Sequence, residues 1–451
     1  MIGSGRRGML LLAAVLTAAC TDDDAAAGEG PYAREVAEAV PRIEEAMGIP
    51  FREPPRLEVR STDELRGFLE AQFREENSQR EIVGLERAYK LFGFLPDTLD
   101  LRPFLLDLLT EQVVGYYDPE SDVLYVVENA SEELVGLTII HELIHALQDQ
   151  YIDLDSIQSV HGLNDRQTAA QAVIEGQATF ESIVATLGTV GTSDLSWDRM
   201  RDVIRQESSR MPLFAAAPLV IQETLIFPYL SGAEFVRRYE ARFPGETPYE
   251  RMPLSTEQVM HEDAYFGRDP DAPTVVELPD PLRGESVYEN SLGEFETRLL
   301  LYEHLRDQPA SVRGAAGWDG DRYMVVETDA GDVLVWVSVW DSPVDAAEFH
   351  DLLNQLVLER YPDVAEREQG GGGGGGGGAD GGAVERSVSG DVRIYDSAER
   401  TLMVRAAQVE GEGDGEDERG RAVIIFADAP LGEDPNIIDS LEVELDTAGE
   451  P

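Results

Sequence analysis

The chain is 451 residues long, 42% hydrophobic, and carries 88 acidic against 36 basic side chains, a formal charge of −52. Such a surface repels phosphates, so the composition opposes binding to nucleic acid or to anionic membrane surfaces. The length and apolar content suffice for two domains.

At the N-terminus Arg6 and Arg7 precede an apolar run from Met9 to Ala19. The run is too short for an ordinary spanning helix and follows a positive segment, so residues 1–19 read as an export signal peptide. The arginine pair is compatible with twin-arginine export, with a plain Sec signal as the alternative. Leu16-Thr17-Ala18-Ala19-Cys20 resembles a lipobox, with Thr17 where leucine is usual. Cys20 is also the chain's sole cysteine, which rules out an intramolecular disulfide and suits a lipidation site. The expectation is an exported, cell-surface lipoprotein anchored to the membrane through Cys20, with residues 20–30 as an acidic tether. No later run is apolar enough to span a bilayer. The dense carboxylates resemble the surface chemistry of halophilic proteins, which stays hydrated at high salt.

Residues 31–281 form the first expected domain, mostly helical, with helices over 61–76, 78–92, 103–112, 131–150, 165–187, 197–207 and 231–241. Val113–Asp118 and Val123–Val127 flank a Pro-Glu-Ser-Asp turn and predict a β-hairpin. An edge strand there could accept an extended peptide as a further strand, or serve as core scaffolding.

Next comes Thr138-Ile139-Ile140-His141-Glu142-Leu143-Ile144-His145-Ala146-Leu147, a strict His-Glu-x-x-His pattern in an apolar frame. Positions i and i+4 of a helix share a face, so His141 and His145 can offer two imidazoles to one metal ion. Glu142 can lean over the open coordination position as a base for the attacking water. Ile139, Ile140, Leu143, Ile144 and Leu147 supply a buried stripe, and Asn129 or Ser131 can cap the helix. A buried helix with two hydrogen-bonded histidines is the bland alternative.

A catalytic zinc needs a third protein ligand. Gln148 and Tyr151 stand where HExxHxxGxxH would require Gly and His, which excludes that form. Glu175, in the helix expected over 165–187, sits among small and apolar residues and is the leading candidate. Gly176 and Ala178 would let its helix approach the metal helix, while Val173, Ile174 and Phe180 pack on apolar surface. Glu181 and His161 are reserve ligands.

These residues resemble the gluzincin metallopeptidases, and HELIHALQDQY is similar to the thermolysin-type motif. The resemblance implies Zn²⁺ on His141, His145 and Glu175, Glu142 as general base, and Asp149 as a partner of the ligand shell. Ser255-Thr256-Glu257-Gln258 with His261 and Tyr265, Glu175–Thr179, Glu289–Phe295 and Gly317–Arg322 resemble a family of predicted membrane-anchored HELxHALQDQ metallopeptidases. Either His261 or Tyr265 would then stabilise the oxyanion. The implied protein is an α+β, zincin-like zinc metallopeptidase that cleaves a protein or peptide substrate. A surface binding or assembly lipoprotein with structural or absent zinc is the alternative.

Residues 282–451 read as a C-terminal α+β domain. Helices are expected over 292–307 and 343–360, and strands over 323–327, 333–340, 391–395, 400–407 and 421–427. Trp336 and Trp340, two strand turns apart, read as core. The Gly-rich stretch at about 367–383 reads as a disordered insertion. The acidic run 410–418 lacks EF-hand spacing and reads as a solvated loop rather than a calcium site.

Overall fold

The computed structural model of the chain describes residues 32–53, 55–128, 132–154, 162–192, 206, 210–367, 391–409, 420–439 and 443–447. Cys20 with the expected signal and tether, Asn129, Ser131, His161, nearly all of 197–207, the Gly-rich stretch beyond 367 and the acidic run 410–418 lie outside the described residues. The fold is mixed α+β and divides into two compact units, residues 1–83 with 97–270, and residues 84–96 with 271–451. No described helix is long and apolar enough to cross a membrane.

The first unit begins with α1 (Ala33–Met47), β1 (Arg56–Arg60), α2 (Thr62–Gln72), the start of α3 (Glu76–Phe92) and α4 (Leu101–Gln112). The expected hairpin follows as β2 (Gly115–Asp118) and β3 (Val123–Val127). It joins β1 in a three-stranded sheet of order β1-β3-β2, in which β1 runs parallel to β3 and β2 lies at an edge. Side chains alternate across a strand. Leu124 and Val126 therefore pack with α1 and with α5 (Glu132–Asp149), while Val123, Tyr125 and Val127 pack with Leu65 and Leu69 of α2. On α5, Ile139, Leu143, Ile144 and Leu147 are fully buried, the stripe expected from their helical spacing.

Helix α6 (Asn164–Thr192) leaves helical geometry at Gly188, where φ is 73°, one residue beyond the expected end. After α7 (Pro212–Ala216) comes α8 (Leu219–Arg242), which begins well before the expected 231. Pro228 and Gly232 punctuate the sequence like helix breakers, yet both are buried inside α8. The short α9 (Thr256–Met260) and α10 (Glu262–Phe266) close the unit.

Helices α6 and α8 meet backbone to backbone. A Cβ on Gly176 would lie 2.2 Å from the Gly232 carbonyl carbon, and one on Gly232 would lie 1.9 Å from the Ala172 oxygen. This corrects the expectation that Gly176 faces the metal helix. Successive helical residues are rotated by about 100°, so Gly176 looks toward α8 while Ala178, on the Glu175 face, packs against α5.

The second unit contains β4 (Thr274–Glu277), β5 (Glu285–Asn290), α11 (Gly293–Leu305), α12 (Gln308–Ala315), β6 (Trp318–Thr328), β7 (Gly331–Trp340) and α13 (Pro343–Arg360). It ends with β8 (Ala365–Glu366), β9 (Val392–Asp396), β10 (Arg400–Val409), β11 (Arg421–Pro430) and β12 (Glu444–Thr447). Strands β5 to β11 form a seven-stranded antiparallel sheet of order β5-β6-β7-β11-β10-β9-β8. One face, with Val335, Val337 and Val339, packs on Val276, Ile437 and Ile438. On the other, Trp340 stacks on Phe349 of α13 at 4.4 Å, and Trp336 meets Phe92 edge-on at 5.5 Å. Both tryptophans are core, as expected.

The buried carboxylate of Asp321 ties this unit together. Its oxygens accept the main-chain N–H groups of Leu292 and Gly293 at 2.8 and 2.9 Å, and the indoles of Trp336 and Trp318 at 2.8 and 3.1 Å. It thus satisfies the start of α11, where main-chain donors have no helical partner. The observed division also differs from the expected one at 281/282. It falls after Pro270, and Gly84–Pro96 belong to the second unit. There Tyr89 donates to Glu296 at 2.6 Å, Arg87 pairs with Asp332 and Glu327, and Gly84 lies against the Tyr288 ring.

The glycine crossing yields a test. Gly232→Ala must push main chain apart rather than a flexible side chain, and is expected to lower stability by about 3 kcal/mol in denaturant titration.

Candidate metal centre

The α5 helix turns His141 and His145 to one side, with ring centroids 4.8 Å apart. Their Nε2 atoms are 3.1 Å apart. Glu175 Oε2, from the middle of α6, lies 3.3 Å from His141 Nε2 and 3.6 Å from His145 Nε2. All three residues are buried and their ligand atoms converge. Glu175 is thus brought to the paired histidines as expected.

These separations fit a specific geometry. Tetrahedral zinc with bonds of about 2.0–2.1 Å sets its ligand atoms about 3.3 Å apart. Two imidazole nitrogens and a carboxylate oxygen this close, away from water, need a proton or a cation among them. The His₂Glu donor set is one that zinc accepts with a fourth position left over. Burial acts to raise the Glu175 carboxyl, but His145 and His141 prevail and hold it below the usual range.

Glu142 is fully buried beside this triad. Its Oε2 accepts the Tyr117 main-chain N–H at 2.9 Å, while its Oε1 is buried without a hydrogen-bond partner. Burial drives its carboxyl up to about 8, with His141 and the Tyr117 N–H opposing and the Glu175 charge adding to the rise. A divalent cation at the triad would draw it back down. A buried orphan oxygen next to a three-ligand cluster is what a general base needs: capacity for a proton with no competing partner.

Tyr117 lies on edge strand β2, so the hairpin does more than fill the core. Its N–H holds Glu142, and its hydroxyl donates to Asp149 Oδ2 at 3.0 Å. Asp149 therefore bears on the site through Tyr117. The Nδ1 of His145 faces a different residue, Gln148, whose Oε1 is 2.7 Å away. Gln148 has no place in the sequence reading except as the residue that breaks the extended motif. Its spacing was the available signal, since i+3 shares a helix face with His145. Tyr229 of α8, with its ring 5.9 Å from that of His141, was also missed.

The remaining expected residues lie as follows. Tyr265 donates its hydroxyl to the Arg251 carbonyl and packs among Phe235, Tyr239 and Phe266. His261 is exposed at the junction of α9 and α10. The Ser-Thr-Glu-Gln segment is buried scaffold: Ser255 caps α9, and the Thr256 N–H donates to Asp165 at the start of α6 at 3.1 Å. Glu181, a reserve ligand, is buried on α6 and hydrogen-bonds Glu240 of α8. Burial, then the neighbouring Glu240, push its carboxyl up to about 10.

Residues 280–414 match a family model described as a domain of unknown function (DUF8575). That span excludes His141, Glu142, His145 and Glu175. No curated protein matches the chain. A solved structure from Chloroflexus aurantiacus, described as a candidate hydrolase with a novel fold, is 20% identical. It aligns over 53% of this chain and 89% of that one, with a TM-score of 0.33. A likeness of that size transfers neither fold nor activity.

The Glu181–Glu240 pair predicts a pH dependence. Because the folded-state pKa of Glu181 is raised, its contribution to stability is complete below the unfolded value near 4.5 and is lost as pH climbs toward 10. Glu181→Gln keeps a donor toward Glu240 without a titrating proton. Calorimetry is expected to show it melting a few degrees above the native protein at pH 8, with the gap closing toward pH 4.5.

Proposed function

We propose that this protein is a zinc-dependent, gluzincin-like metallopeptidase with a zincin-like catalytic domain, held at the outer side of the cell membrane by a lipid on Cys20. The observation that carries the reading is the convergence of His141 Nε2, His145 Nε2 and Glu175 Oε2 within 3.1–3.6 Å, beside a buried carboxylate oxygen of Glu142 that has no partner. The anchoring rests on the N-terminal sequence alone.

When bound, zinc would act as a Lewis acid toward water and the scissile carbonyl. The protein's own groups do the rest. Glu142 takes a proton from the attacking water at Oε1 and passes it to the leaving amine. The Tyr117 N–H fixes Oε2, so the carboxylate cannot swing away from the triad. Strand β2 lies at the sheet edge beside α5 with its residues buried, so an extended peptide adding there would have to use main chain other than the Tyr117 N–H that Glu142 holds. Of the two groups expected at the oxyanion, Tyr265 has its hydroxyl committed to a main-chain carbonyl, while His261 is exposed.

Two substitutions separate binding from turnover. Glu142→Gln is expected to keep one zinc per chain while losing about 10³-fold or more in hydrolysis of an unstructured protein substrate at high salt. His145→Ala is expected to lose both metal and activity. Unchanged hydrolysis in Glu142→Gln rejects the mechanism, and zinc bound by the native chain with no turnover of any peptide assigns a binding role instead.

A further inference from the structure

Gln148, three residues after His145, is 2% exposed and uses both ends of its amide. Its Nε2 donates to the main-chain carbonyl of Ile174 at 3.2 Å and to Gln177 Oε1 at 3.0 Å, and lies 2.7 Å from the Tyr249 hydroxyl. Tyr249 in turn donates to Gln177 Oε1. A main-chain carbonyl can only accept, so the nitrogen end of the amide must be the end on Ile174. The oxygen end is therefore the one that faces His145 Nδ1 at 2.7 Å.

An amide oxygen likewise only accepts, so His145 Nδ1 must carry the hydrogen. In a neutral imidazole this leaves the lone pair on Nε2, which points at His141 and Glu175. The contact with Ile174 has a second effect. Ile174 immediately precedes Glu175, so one side chain sets the ring state of one ligand and grips the main chain beside another. Gln177, two residues beyond Glu175, and Tyr249 keep the amide from flipping.

We infer that Gln148 is the positioning residue of the metal centre. It locks His145 in the Nδ1–H form and fixes its distance from Glu175, with Gln177 and Tyr249 as the backing layer. This rests on the metal reading proposed above. Gln148 touches neither substrate nor reacting atoms, and acts through His145.

The test begins without metal. In full-length protein labelled with ¹⁵N-histidine and stripped by chelator, His145 is identified by the signal lost in His145→Ala. It is expected in the Nδ1–H form in the native chain. In Gln148→Leu it is expected to shift toward the Nε2–H form, and zinc affinity measured by chelator competition is expected to fall about 10–100-fold. Gln148→Glu retains an acceptor for Nδ1–H. It is expected to keep the tautomer and to bind zinc more tightly than Gln148→Leu by at least about tenfold, even where both variants melt lower. Zinc binding with His145 in the Nε2–H form in the native protein overturns the role of Gln148 and spares the metal reading. So does folded Gln148→Leu with native affinity, or equal losses in the two variants. A native chain that binds no zinc overturns the metal reading itself.

Discussion

Three groups that would rather face water are buried against one another in the first unit: two imidazole nitrogens and a carboxylate oxygen, none more than 3.6 Å from the next. Burying polar groups this way is unfavourable unless each is matched by a partner of opposite character. On the proposed reading, a cation would supply that partner for all three at once. The surrounding arrangement follows from keeping those atoms in place, and from keeping Glu142 beside them with one oxygen held and one available.

The scaffold meets this demand with rigid elements. Helix α5 brings two of these groups to one face a turn apart, a placement that rigid elements hold more precisely than loops. Helix α6 brings the third, and is seated by main-chain contact with α8 at Gly176 and Gly232 and by Thr256 at its N-terminal Asp165. Strand β2 completes the enclosure through Tyr117, whose main chain holds Glu142 and whose ring oxygen reaches Asp149. The motif residues that resemblance alone would assign to chemistry thus divide. His141, Glu142, His145 and Glu175 converge, while Ser255, Thr256 and Asp321 hold helix starts in position.

Local patterns made much of this legible. The i, i+4 spacing of His141 and His145 and the apolar stripe around them predicted α5 nearly to the residue, and the two valine- and tyrosine-rich runs predicted β2 and β3. Glu175 was accessible because it interrupts an apolar helix at mid-length. What stayed hidden depended on rotation and on distant partners. Gly176 was assigned to the wrong neighbour because small residues reveal close approach but not its direction. The start of α8 was missed because Pro228 and Gly232 break helices in isolation, and here tertiary contact overrides them. Gly84–Phe92 continue the helix begun in the first unit, and only tertiary contacts such as those of Phe92 with Tyr323 and Trp336 show which core they enter. Gln148 escaped because a neutral amide carries no signature until its partners are known.

The described indoles give the second unit an optical signature of its own. The chain has four tryptophans, and three of them, Trp318, Trp336 and Trp340, lie in the second unit within one sheet, two of them on the Asp321 carboxylate. Around His141, Glu142 and His145 the aromatic side chains include Tyr117, Tyr229 and Tyr249, none of them an indole. Ultraviolet emission from these three indoles, excited at the red edge, therefore follows the melting of the sheet core around Asp321, with Trp197 the remaining contributor.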